Sequence, residues 1–228
     1  MKFTPIFFLM WPLFLFSQSA FEKGEKLLAQ KKYNAAEQSF QEYLKVQPNH
    51  AKTTEYLGDL AGIQKNWDKA ITNYKKLKIS FPNNANYWYK YGGAMGMKAK
   101  ESNKFKALGM IDEVEQSFLT AAELDEKHID TRWALVMLYV ELPAIIGGSE
   151  KKSQNYANEL MTLSKVDGYL AKGYIDVYFS RYIKAEINYK KAHEIGNSNT
   201  TFEKLYDLYL NKFKDKTKAN KLKQEFKE

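Results

Sequence analysis

The sequence predicts an all-α fold, a solenoid of stacked helix-turn-helix hairpins, on three observations. Apolar residues recur three and four positions apart along most of the chain, the period of an amphipathic helix. Shifted against itself by 34 residues, the chain brings Gly24 onto Gly58 and Gly92, Tyr33 onto Trp67, Ala36 onto Ala70, Phe40 onto Tyr74 and Pro48 onto Pro82. Prolines stand where this period needs a helix to stop, because proline lacks the amide hydrogen and bars helix from the residue before it. With 44% apolar and 15% aromatic residues in 228, the chain has the material for a folded core.

Residues 1–19 read as a cleaved secretory signal. Lys2 is the only charge before Glu22, and the apolar run Phe3 to Phe16, broken by Pro5 and Pro12, falls short of the ~20 residues that cross a bilayer. Ser17-Gln18-Ser19-Ala20 supplies small residues for cleavage before or after Ala20. An uncleaved anchor and a buried first helix are the alternatives. The reading places the protein outside the cytoplasm, periplasmic or secreted, with no membrane association once the signal is removed. The absence of cysteine excludes lipid attachment through an N-terminal Cys.

Residues 20–199 divide into about five hairpin units, 20–50, 51–84, 85–128, 129–165 and 166–199. In the first two, the turns Gln30-Lys31-Lys32 and Lys65-Asn66 separate two amphipathic helices. Helix axes approach to about 8–10 Å only where small side chains stand at the crossing. Gly24, Gly58 and Gly92 on first helices, with Ala36 and Ala70 on second helices, meet that need. Phe40, Tyr74, Tyr33 and Trp67 then fill the wedge between hairpins.

The third unit continues with Trp88, Tyr91 and Gly92, but Phe118, Ala121 and Leu124 fit its end only with an insertion of about ten residues between Met97 and Met110. The fourth starts near Ile129, carries Trp133 and Tyr139, and breaks at Pro143 to Ser149. There Gly147-Gly148 permits a tight turn and Ser149 an N-cap for a helix from Glu150 to Ser164. Such a helix end can hold an anion; the plainer reading is a linker and a cap, since no Lys-Ser or Lys-Thr follows the glycines. Gly173, Tyr182, Ala185, Tyr189 and Ala192 restore the pattern in the fifth unit, with Asn197 in the proline's place. Residues 200–228 form C-terminal capping helices: Phe202 to Leu210 is apolar, and Leu222 and Phe226 are spaced to dock on the last unit.

This pattern resembles the tetratricopeptide repeat (TPR), closely in residues 17–84 and in the fifth unit, more loosely in the third and fourth. The resemblance implies a right-handed solenoid whose first helices line a concave groove, with second helices forming the outer wall. It also implies a non-catalytic scaffold or assembly factor, without cofactor, that binds a peptide or protein segment in the groove. Carried over position by position, the groove residues are Phe21 and Glu25 in the first unit, Glu55 and Asp59 in the second, Asn86 and Tyr89 in the third, Trp133 and Met137 in the fourth, and Leu170, Tyr174 and Tyr178 in the fifth. The N-terminal half thus offers acids and the C-terminal half aromatics and a methionine, suited to a segment with an apolar anchor and a basic neighbour. Packing between adjacent hairpins is the plainer role for any one aromatic. The carboxylate clamp of some family members is missing, because Phe21 and Glu25 occupy its places.

Excess positive charge, 35 Lys and Arg against 27 Asp and Glu, concentrates on second helices, loops and the C-terminal end. A solvated outer wall explains it; contact with acidic polymers or a membrane surface is the competing reading. No pair of base-reading residues repeats from unit to unit, which argues against nucleic acid. With no cysteine and 3 histidines, no metal-ligand or nucleophile–base arrangement stands out and no catalysis is expected. His50 and His128 occupy equivalent places between units, implying packing or solvent.

Overall fold

A computed structural model describes residues 11–226 of the protein, with side chains from Ala20. The expected leader therefore lies largely outside the described side chains. Among the described residues there is no strand; helices follow one another in chain order. The chain forms two compact units, Met1–Ser117 and Phe118–Glu228.

In the N-terminal unit, α1 (Trp11–Ala29) pairs with α2 (Tyr33–Val46) and α3 (Ala51–Ile63) with α4 (Trp67–Ser80), and α5 (Ala85–Glu101) leads into α6 (Lys104–Leu124). The glycines explain how closely the helices pack. A β-carbon on Gly24 would lie 2.5 Å from Cε1 of Phe40, and one on Gly58 2.5 Å from Cε1 of Tyr74. Each ring lies against the backbone of the preceding helix, in the space that a side chain would fill. Ala36 and Ala70 are wholly buried one turn earlier on the second helices.

The extra residues of the third hairpin enter its helices rather than a loop. α5 has 17 residues and α6 21, against 13 and 14 in α3 and α4, and only Ser102 and Asn103 join them. The result is a longer hairpin, with Phe105 on its tip 88% exposed.

The C-terminal unit comprises the end of α6, α7 (Ile129–Glu141), α8 (Glu150–Leu163), α9 (Lys165–Tyr178), α10 (Tyr182–Gly196), α11 (Asn199–Asp207) and α12 (Lys216–Glu225). The α9–α10 hairpin repeats the earlier device, since a β-carbon on Gly173 would meet Tyr189 at 2.2 Å. The α7–α8 hairpin inverts it. Val136 stands at the first-helix position that Gly58 holds in α3, and Ala157 takes the place of the aromatic; both are fully buried in one cluster. Bulk has moved from the second helix to the first, which is why the fourth unit reads weakly in sequence.

Between α7 and α8 a short 3-10 turn (Ala144–Ile146) ends at Gly147, whose φ of 101° favours glycine. A β-carbon on Gly148 would fall 1.8 Å from the carbonyl oxygen of Leu142. Ser149 accepts a hydrogen bond from the Lys152 amide and caps α8, as its residue type predicts. At the C-terminal end, α11 passes into a π-helical segment (Leu208–Lys212) before α12 turns back. Leu222 is buried, and the Phe226 ring stacks on Phe202 at 4.5 Å. These two contacts cover the last hairpin.

Candidate interaction faces

Because the helices of the α1–α2, α3–α4 and α9–α10 hairpins are pinned where a ring meets glycine, the residues beside those contacts are held in fixed directions. In the N-terminal unit the face predicted to offer acids is a closed polar network. Lys90 of α5 donates to Oε1 of Glu55 at 2.7 Å and to both carboxylate oxygens of Asp59, at 2.7 and 3.0 Å. Asn86 donates to Glu55 at 3.3 Å, and the Tyr74 hydroxyl donates to Asp59 at 2.6 Å. Glu55 is buried. Burial alone would raise its carboxyl, but the hydrogen bond and charge of Lys90, aided by Lys52, outweigh that and hold it below the ordinary value of 4.5. Lys90 moves up from 10.5 because its bonds to Asp59 and Glu55 outweigh its own burial.

Glu55, Asp59 and Asn86 are thus brought together around a lysine that sequence reasoning missed. The only signal for it was spacing: Lys90 follows Glu55 and Asp59 by 35 and 31 residues, about one repeat. Tyr89 is half-buried on the same helix. Phe21 packs against Phe40, Tyr43, Tyr56 and His50, and Glu25 accepts from the Tyr56 hydroxyl at 2.9 Å. Burial, with the Glu25 bond second, pushes the Tyr56 hydroxyl up to about 12.

In the C-terminal unit the predicted residues divide by exposure. Leu170 belongs to the core. Trp133 is part-buried and its Nε1 donates to Asp167 at 2.8 Å; the Tyr174 hydroxyl donates to Glu141 at 2.6 Å. Met137 is 37% and Tyr178 49% exposed, with the Phe179 ring edge-on to Tyr178 at 5.2 Å. The aromatic face therefore consists of two anchored rings beside two accessible side chains.

Both arginines, against 33 lysines, perform local work that sequence reasoning overlooked. Arg132, 4% exposed, donates to the carbonyls of Asp125 and Ala122 at 2.6 and 3.1 Å and to Glu159 at 3.2 Å, capping the end of α6. Arg181 joins buried Asp176 at 2.8 Å to Glu150 at 2.6 Å. A planar five-donor group suits such forked sites, and the rarity of arginine here was the available clue. Arg132 also lines a cleft of about 480 Å³ with Glu123, Glu126, Tyr156 and Glu159.

His50 and His128 are helix caps. Nδ1 of His50 accepts from the Thr53 amide at 3.3 Å, and Nδ1 of His128 from the Thr131 amide at 3.2 Å. Among the described residues, no group of three or more His, Asp and Glu is placed to hold a metal ion, and no helix is long and apolar enough to cross a membrane.

Solved TPR proteins share this fold. A TPR protein of Thermus thermophilus superposes with a TM-score of 0.69 at 17% identity, covering 85% of this chain and 99% of its own. A TPR protein of Parabacteroides merdae gives 0.65 at 13% identity, covering 92% and 78%. YrrB, a TPR protein with an unusual peptide-binding site, gives 0.53 at 14% identity, covering 80% and 87%. No protein-family model matches the chain, and no curated protein matches its sequence.

Proposed function

We propose that the protein is an exported, non-catalytic interaction scaffold that holds a segment of a protein partner on its first-helix faces. The observation that carries this reading is the accessible pair Met137 and Tyr178 beside two rings fixed by Asp167 and Glu141. Exposed apolar side chains on a preorganised face bind an apolar anchor with little ordering cost. In the N-terminal unit Lys90 already engages both Glu55 and Asp59, so the apolar anchor, rather than a basic neighbour, is the determinant of recognition in this reading. Peptide binding by YrrB, a protein of the same fold, lends the reading support.

Affinity capture from the protein's own envelope fraction, read by mass spectrometry, identifies the partner. Met137→Ala with Tyr178→Ala then weakens binding of that partner by about tenfold or more, while the circular dichroism stays helical. Undiminished binding by the double variant would remove the face from the reading.

A further inference from the structure

The hairpin turns of the N-terminal unit lie along one edge, as the contacts between them require. Gln64, in the α3–α4 turn, donates to Asn34 beside the α1–α2 turn at 3.0 Å. Lys98, near the end of α5, pairs with Asp68 in the first turn of α4. The edge is basic, with Lys31, Lys32, Lys65, Lys104 and Lys106 all exposed. Of the acids along it, Asp68 is tied to Lys98 and Glu37 to Lys69, while Glu101 at the tip and Asp112, two turns beyond Phe105, are the exposed counter-charges.

Apolar side chains stand out from the same edge. Phe105, between Lys104 and Lys106, is 88% exposed, Leu108 on the same helix face 47%, and Ile63 at the end of α3 52%. The turns also accept a backbone cost to display lysine: Lys31 and Lys65 have φ of 58° and 56°, the left-handed region where glycine or asparagine is cheaper. A dissolved polyanion has no use for an exposed phenyl ring. A lipid surface does, since it takes the ring below the headgroups while the flanking ammonium groups meet the phosphates.

We propose that this edge docks the protein on an anionic lipid surface, with Phe105 as the inserted residue. The inference is independent of the partner-binding face; it departs from the expectation of no membrane association and narrows the competing reading of the basic charge to one edge and one inserted ring. It accounts for the long third hairpin, whose extra turns carry Phe105 outward.

The chain has no cysteine, so one introduced thiol labels a single place. Gly109 is exposed, one turn beyond Phe105, and a side chain there meets nothing within 4 Å. The full chain carrying Gly109→Cys and a nitrobenzoxadiazole label is mixed with equimolar phosphatidylglycerol–phosphatidylcholine vesicles, with pure phosphatidylcholine vesicles, or with dissolved polyphosphate. Asn83→Cys, in the α4–α5 loop at the other end of the unit, serves as reference. Every variant carries the apolar run Phe3 to Phe16, so differences between them report the edge.

The expected result is a blue shift at position 109 on the mixed vesicles alone, with little change at position 83. Phe105→Ser, or Lys104→Glu with Lys106→Glu, raises the lipid needed for half the shift on the order of tenfold. These side chains are exposed, so helicity is unchanged. No shift, an equal shift on phosphatidylcholine, a response to polyphosphate as large as that to vesicles, or indifference to Phe105→Ser overturns the proposal.

Discussion

Single atoms decide how closely these helices approach. At Gly58, the atoms nearest an added β-carbon belong to the ring of Tyr74, the first at 2.5 Å, and the ring is held through its hydroxyl by Asp59. Gly58→Ala therefore costs about 1–3 kcal/mol in chemical denaturation. Gly93, also helical, has open space around it, so Gly93→Ala stabilises by about 0.5–1 kcal/mol. Equal effects of the two changes would contradict the packing. Lys90 gives a second test. The fold favours the charged forms of Glu55 and Lys90, so Glu55's share of stability is whole above 4.5 and is lost as pH falls through its lowered value. Lys90's share is whole below 10.5 and is lost as pH rises through its raised value. Lys90→Met, which leaves two carboxylates facing each other, costs about 1–3 kcal/mol near neutrality. Its deficit in melting temperature shrinks as pH falls through the lowered value of Glu55.

At the level of the helix, legibility followed chemistry that is local in sequence. Ser149 declared itself as a cap by residue type, and the glycine and aromatic of each regular hairpin declared themselves by spacing. The caps at His50 and His128 did not, because histidine is an uncommon cap and its role depends on a threonine three residues later. Replacing His50 by Ala lowers stability by about 1 kcal/mol, and His50→Asn retains most of it, as denaturant midpoints with unchanged slopes would show. The α7–α8 hairpin was hard to read because Val136 and Ala157 put the larger residue on the first helix and the smaller on the second, which erases the letter pattern. The insertion was legible as a number of residues and not as a shape: nothing in the letters distinguishes a floppy loop from two longer helices. Of the predicted residues, the meeting of Glu55, Asp59 and Asn86 followed from the repeat spacing, and the lysine that joins them did not. Lys90, which joins Glu55 to Asp59, comes from the next repeat, and a contact across about 30 residues has no local signature.

Across the N-terminal unit, each hairpin rests on its chain neighbours, and stability there is a sum of local contacts rather than the property of one centre. Ala70→Leu, at a wholly buried crossing, forces α3 and α4 apart and costs about 1–3 kcal/mol, whereas Lys75→Leu on the exposed side is nearly neutral. Hydrogen exchange locates the damage: amide protection falls most in α3 and α4 and less in α1 and α2. A uniform loss through the unit would mean a single cooperative core. The rings that rest on glycine carry a further consequence. Phe40, Tyr74 and Tyr189 are each clasped against bare backbone, so none of them turns over unless its own hairpin breathes. Their flip rates, read from the line shapes of the paired ring protons, are three internal clocks, each timing the opening of one hairpin without any label or mutation.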